Sequence, residues 1–421
     1  MKTKLLLGKD RQELVSRTGI AAILISFALY VFVSMLDCGG LRGQLFYWDI
    51  TDTFMDYFNS ISVIAFENPY ESNCMYPPLS QLIFLIFAKS IPIPVLDDNP
   101  HQYRMDQNAL LSLVLFLAIP IAITVWALAD YLKGDNTFKK IAIIAFLVSS
   151  PFMYVIERGN ILIYAFAGAL VFICYYDSDK KWQREAALIA LAFSAGIKMY
   201  PAVLGLLLIR DKRWKDAVRC MVYGIFCVFA PFLAFGGLKA VMTMINSLQG
   251  NSGGFGPTDF NCKLSYDGIF DMIRVLWLGR PYGFAKGQMV AYGLGVLLVA
   301  AALLTKKRWK SVLYLSLVMI GVPAISFYYT GIFILMPFLM YIAGEEKEFG
   351  WRELLYFPAF VVFLSPFPIT GELKTVSDIN VNLQICSVCI LYLTGWGLID
   401  AGLDALARIR ERKSPKAEVK A

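Results

Sequence analysis

Residues 49–78, DITDTFMDYFNSISVIAFENPYESNCMYPP, carry Asp49, Asp52, Asp56, Glu67 and Glu71 without a single Lys or Arg. On a helix, positions 49, 52 and 56 are spaced i, i+3, i+7 and share one face. Like charges on one face repel unless solvent, a metal or a substrate takes them up. Such a set can act as a general base toward a bound hydroxyl, a second carboxylate helping to orient it. A solvated face of a surface helix and a three-carboxylate metal site are the alternatives. A second set is cationic. Arg158 stands in Glu157-Arg158-Gly159-Asn160, and Lys198 in Ile197-Lys198-Met199-Tyr200-Pro201. Arg offers fork geometry and Lys a mobile point charge, which together make a phosphate clamp. The plainer alternative is an internal pair such as Glu157 with Lys198. A third stretch, residues 249–268 (QGNSGGFGPTDFNCKLSYDG), is equally readable as a lid or as a flexible connector.

The elements that must position these groups are hydrophobic. Of 421 residues, 58% are hydrophobic and only 17% charged, with mean hydropathy +0.59. Soluble domains hold about 45–50% apolar and about 25% charged residues, so the chain reads as an all-α, polytopic membrane protein. The formal charge of +7 does not imply nucleic acid. The basic residues fall in short clusters between apolar runs, at 133–140, 177–185, 210–219 and 305–310, which is the positive-inside pattern. The basic N-terminus leads into an apolar run with no small-residue cleavage pattern, so a retained first helix is expected.

Apolar runs recur at 18–36, 79–91, 109–132, 141–155, 161–176, 186–197, 201–209, 220–237, 288–304, 311–326, 328–343, 353–367 and 383–407. Placing the four basic loops and both termini in the cytoplasm requires that 79–91 does not cross. That run is proline-flanked and short, which fits a re-entrant or interfacial helix. About 12 spanning helices are then expected in one domain over 1–407, with a basic tail at 408–421 and outer loops at 37–78, 92–108, 238–287 and 368–382. Three hairpins have limbs shorter than the about 20 residues of a full span. Their turns, at 157–160, 198–201 and 327–328, are expected below the outer interface, beside a water-filled cavity.

Cysteines and histidine narrow the chemistry. Five of the eight cysteines lie in or near apolar runs as small fillers. Cys38, Cys74 and Cys262 fall in outer loops, where spacing cannot choose a disulfide pair. One histidine, His101, and no Cys-x-x-Cys in a loop make a zinc site unexpected.

These motifs resemble a GT-C type glycosyltransferase, and the chain is most similar to family 87, the polyprenyl-phosphate-mannose-dependent alpha-mannosyltransferases. In that family an early Asp is followed about 18 residues later by Pro-Tyr and then by Tyr-Pro-Pro opening a helix. Here Asp52 precedes Pro69-Tyr70, and Tyr76-Pro77-Pro78-Leu79 follows. The family's Gly-Gln-x-Asn turn has its counterpart in Glu157-Arg158-Gly159-Asn160, which keeps the Asn and replaces Gly-Gln. The family's Ile-Lys-x-Tyr-Pro is matched at 197–201, and the likeness runs over roughly residues 15–345.

The resemblance implies inverting transfer of a mannose-like sugar from a polyprenyl-phosphate donor. The acceptor is a glycan or glycolipid hydroxyl at the outer face of the cell membrane, in envelope glycolipid or polysaccharide synthesis. Asp52 becomes the first candidate base, with Asp49 and Asp56 as rivals. Lys198, Arg158 and Tyr200 become the donor-phosphate site, and Tyr70, Tyr76, Asn160, Asn261 and Lys263 the substrate contacts. No cofactor and no metal is expected, because a phosphodiester donor has no diphosphate to chelate. A transporter or flippase would use similar intramembrane charges, but no internal repeat is visible. A non-catalytic membrane scaffold would not need Asp52 and Lys198 to face one cavity.

Overall fold

A computed structural model describes residues 8–46, 50–71, 74–96, 99–251, 263–279, 286–343, 349–368 and 381–413. Among these residues every named element is helical, and the sole β feature is an isolated bridge between Lys263 and Phe327. Five helices are long and apolar enough to cross a membrane: Arg11–Leu36, Gln107–Tyr131, Trp214–Phe235, Gly287–Leu304 and Asn382–Ile409. They form the periphery. Phe32, Val114, Phe226, Val296 and Ile399 all stand exposed on them, the surface of a membrane protein turned toward lipid.

A bent pair, Asn136–Leu147 and Ser150–Arg158, reaches the same length and apolarity when taken together and changes direction by 54°. The break has a local cause. Val148 and Ser149 leave the helical path, and Pro151 opens the second half at its first turn, where a missing N–H costs nothing.

The expected count of about 12 spans is therefore not met by length and apolarity. Much of the difference lies in interior helices. Leu162–Tyr175, Tyr200–Arg210 and Tyr328–Ala343 are apolar but only 10–17 residues long, as is Pro78–Ala88, the run not expected to cross. Leu162–Tyr175 is buried at every position, so its partners are protein on all sides and no lipid thickness sets its length. Pro78–Ala88, 11 residues, rises about 16 Å, half of a hydrocarbon core of about 30 Å.

The three expected breaks are present. The helix Ser150–Arg158 stops at Gly159. Lys181–Ile197 stops at Lys198, and the chain returns as a 3-10 turn, Tyr200–Gly205, before Leu206–Arg210. After Arg308–Gly321 the return limb again begins as a 3-10 turn, Tyr328–Ile334, before Leu335–Ala343. The descending limb of the second hairpin is longer than its apolar run, because Lys181–Glu185 extend it by a polar turn at the basic end.

Close packing fixes these turns against one another. A Cβ on Gly196 would lie 2.7 Å from Leu79 and 2.9 Å from the Cys227 carbonyl. The end of Lys181–Ile197 thus touches both Pro78–Ala88 and Trp214–Phe229 through a position only glycine fits. The Ser80 hydroxyl donates to the Ile197 carbonyl at 2.7 Å, tying the helix after the acidic stretch to the residue before Lys198.

Candidate active site

The acidic stretch does not form one continuous helix. Ile50–Asp52 is a 3-10 turn, Met55–Phe66 is an α-helix, and Phe54 between them is left-handed at φ 64°. Its N–H donates to the Glu157 carbonyl at 2.8 Å, which holds the unusual backbone in place. The shared helical face expected for positions 49, 52 and 56 is thereby lost. Asp49 lies outside the described residues. Asp52 and Asp56 still converge, through a partner on another element.

That partner is Arg158. Its Nη1 donates to Asp52 Oδ2 at 2.7 Å and to the Asp52 carbonyl at 3.0 Å, and its Nη2 to Asp56 Oδ1 at 2.7 Å. Asn160 Nδ2 donates to Asp56 Oδ2 at 2.7 Å, and its Oδ1 accepts from the Leu162 N–H at 2.9 Å. Asp56 therefore has both carboxylate oxygens engaged. Asp52 has one, and its other oxygen carries no hydrogen bond among the described residues. Arg158, expected to face a phosphate, spends both terminal nitrogens on the two aspartates. Its side chain is 10% exposed, against 28% for Asp52 and 21% for Asp56.

Gly159 makes this turn possible. It is left-handed at φ 61°, and a Cβ there would meet the Tyr57 Cβ at 3.0 Å and the Phe54 carbonyl at 3.3 Å. Gly159→Ala is expected to cost about 1–2 kcal/mol for the left-handed backbone, plus crowding of Phe54. A lower thermal midpoint in detergent, with reduced activity, checks it; a midpoint equal to wild type would show that the turn relaxes freely.

The neighbouring Glu157 is paired with Arg42 at 2.9 Å rather than with Lys198. Thr53 bridges the two, bonded to Arg42 and donating to Glu157 at 3.2 Å. From the other side, Arg104 donates to the Thr51 and Thr53 carbonyls, and His101 Nδ1 lies 3.0 Å from the Thr51 carbonyl. Arg42, Thr53 and Arg104 were not singled out from sequence. The one signal they offered was polar character in the loops flanking the first two apolar runs.

Lys198 comes from the second turn. Its Nζ sits 3.9 Å from the centroid of the Tyr76 ring, a cation–π contact. Asp56 is the carboxylate close enough to act on Lys198 electrostatically, and Tyr76 lies beside both Asp56 and Asn160. Tyr200 meets Phe333 edge-on at 5.8 Å. Tyr329, also missed in the sequence, neighbours Tyr76, Asp56, Tyr200 and Tyr154. It stands in the third turn, so all three breaks contribute to one site.

Tyr70 takes a different place. It is buried between Phe232 and Phe235, and its hydroxyl donates to the Tyr76 carbonyl at 2.7 Å, which holds the Tyr76 backbone. Lys263 pairs with Phe327 as its neighbour Leu264 donates to the Ser326 carbonyl at 2.8 Å, next to the third turn. Asn261, Cys262 and most of the 249–268 stretch lie outside the described residues. Cys38 and Cys74 are free, and Cys74 accepts from Gln81. Among the described residues no three His, Cys, Asp or Glu side chains converge as metal ligands.

An apolar groove of about 730 Å³ follows the two limbs of the second hairpin and Trp214–Phe229, and its lining residues Ala195 and Ala202 flank the turn that carries Lys198 and Tyr200 in sequence. Leu191, Ala195, Val203, Leu206, Met221 and Phe229 are among its lining residues. One wall, Trp214–Phe229, belongs to a span-length helix, and its lining residues Met221, Ile225 and Phe229 are exposed. The site thus combines one incompletely engaged carboxylate, a second held by Arg158 and Asn160, and a lysine. A family model described as glycosyltransferase family 87 matches residues 75–303. The matched stretch contains Tyr76, Arg158, Asn160, Lys198 and Tyr200, while Asp52 and Asp56 precede it. No curated protein and no solved structure matches the chain.

Proposed function

The chain belongs to glycosyltransferase family 87, and from that membership we propose that it moves a mannose-like sugar, with inversion, from a polyprenyl-phosphate donor to a glycan or glycolipid hydroxyl. One observation carries the reading: a partly free Asp52 carboxylate and the Lys198 ammonium belong to one cluster, and the hairpin that carries Lys198 also lines an apolar groove. The prenyl chain lies in the groove, entering from the bilayer. The donor phosphate lies toward Lys198 and Tyr200, where the ammonium stabilises the charge that grows on the departing phosphate. The free oxygen of Asp52 takes the proton of the acceptor hydroxyl as that oxygen attacks the anomeric carbon. Arg158 and Asn160 orient the two carboxylates, and Asp56 sits between the arginine and the lysine.

The site faces outward in an envelope membrane, the chain making about 12 passes with both termini in the cytoplasm. The broken interior helices count among these passes, and the basic loops set the orientation. A lipid-linked donor is available on that side, and its single phosphodiester requires no chelated metal.

The deciding experiment supplies purified protein with several polyprenyl-phosphate sugars and follows the product by mass spectrometry. Transfer from one of them, without added metal and with inverted anomeric configuration, is the expected result; transfer only from nucleotide sugars would overturn the donor class. Lys198→Ala is expected to weaken donor binding about 10–100-fold, the range for a hydrogen bond to a charged group. Donor titration of the folded variant measures this, and unchanged affinity would remove Lys198 from the phosphate site.

A further inference from the structure

A second polar pocket lies away from the site. It encloses about 470 Å³ where the Gly287–Leu304 helix ends, bounded by Arg210 and Asp211 on one side and Arg408 of the last helix on the other. Leu303, Leu304, Thr305 and Lys306 complete its lining. From Tyr200 to Arg210 the limb runs a 3-10 turn and then an α turn, a rise of about 19 Å. This pocket is therefore separate from the phosphate position beside Lys198.

The charges in it are unevenly spent. Arg210 donates to the Thr305 carbonyl at 3.1 and 3.2 Å and to the Lys306 carbonyl at 2.7 Å, and pairs with Asp211 at 2.7 Å. The other Asp211 oxygen accepts from the Tyr176 hydroxyl at 2.8 Å. Arg210 so caps the carbonyl end of the helix, which would otherwise repel an anion, and also neutralises the one acid present. The Lys306 and Arg408 side chains are left with no ion pair or hydrogen bond among the described residues. Thr305 is only 4% exposed, and its hydroxyl is buried without a partner, a condition polar groups avoid. Two uncommitted cations and an unsatisfied hydroxyl lining one pocket are a donor set for an anionic oxygen cluster.

The rim names the source of that anion. Leu303 and Leu304 are exposed at the end of a span-length helix, and Leu406 and Ile409 are exposed on either side of Arg408. A headgroup in the pocket would lay its acyl chains along these side chains. We propose that the pocket binds the phosphate of an anionic lipid headgroup, with Lys306 and Arg408 as its cations and the Thr305 hydroxyl as a neutral donor. Basic pockets between spanning helices at the membrane interface are suited to such headgroups.

The test needs no transfer assay. The full chain in detergent is titrated with phosphatidylglycerol and with phosphatidylcholine of matched acyl chains, and lipid retention is read by native mass spectrometry. Phosphatidylglycerol is expected to be retained about tenfold more strongly than phosphatidylcholine, and Lys306→Gln combined with Arg408→Gln to reduce it to the phosphatidylcholine level. Equal retention by wild type and double variant overturns the site. Displacement of phosphatidylglycerol by millimolar inorganic phosphate assigns the pocket to free phosphate and overturns the lipid assignment. Should the double variant fail to fold, Thr305→Val, which keeps both charges, must reduce retention about twofold or more; unchanged retention overturns the proposal.

Discussion

Asp52→Asn lowers sugar transfer by about 10²–10⁴-fold, the contribution of a positioned general base, while donor binding persists. The amide is nearly isosteric and still accepts from Arg158 through its carbonyl oxygen, so the clamp survives while basicity is lost. The comparison that matters is Asp56→Asn. Both oxygens of Asp56 are engaged, by Arg158 at 2.7 Å and Asn160 at 2.7 Å, and its charge reaches Lys198. Its amide must break one of those contacts, so Asp56→Asn is expected to disturb donor affinity and site order as well as rate. Purified variants assayed for donor affinity and for turnover separate the two. Full turnover by Asp52→Asn, together with loss confined to Asp56→Asn, would move the base to Asp56.

Arg158→Met is expected to cost about 3 kcal/mol or more and to abolish transfer. Removing one partner of a largely buried ion pair strands the remaining charge, and here it strands two. Asp52 and Asp56 would face each other without the guanidinium between them, and the loop carrying Asp52 would lose two bonds to it. The thermal midpoint in detergent reports the loss. Adding Asp56→Asn to Arg158→Met should recover part of the stability, because residues in one network are not additive. A single variant that melts like wild type would show that Arg158 is not the keystone of the acidic pair.

The sequence revealed the helical, membrane-embedded character of this chain, because apolar runs and their basic punctuation report it directly. It also revealed the three broken hairpins, whose apolar runs are shorter than a full span. Arg158, Asn160, Lys198 and Tyr200 could be marked because each sits at such a break. Their pairing was hidden. Arg158 reaches Asp52 and Asp56 across more than 100 residues, and no local periodicity encodes that meeting. The left-handed Phe54 was equally silent. A phenylalanine carries no preference for that backbone, which is set by the Glu157 carbonyl from another element. The number of spans is not legible from hydropathy, because hydropathy does not separate a helix buried in protein from one buried in lipid. Leu162–Tyr175, enclosed on every side, is as apolar as a true span.

The 54° change of direction before Ser150–Arg158 has a geometric meaning beyond its local cause. Nine residues of helix extend about 13.5 Å, so a straight continuation would deliver the guanidinium about 12 Å from where it now meets the aspartates. The angle works as a lever arm: a few degrees at Val148–Ser149 become ångströms at the catalytic end. Substitutions at Ser149, Ser150 or Pro151 are expected to retune which oxygens Arg158 can reach. The meeting of Arg158 with the two aspartates is thereby adjustable from a position one helix-length away, without altering any of those three residues.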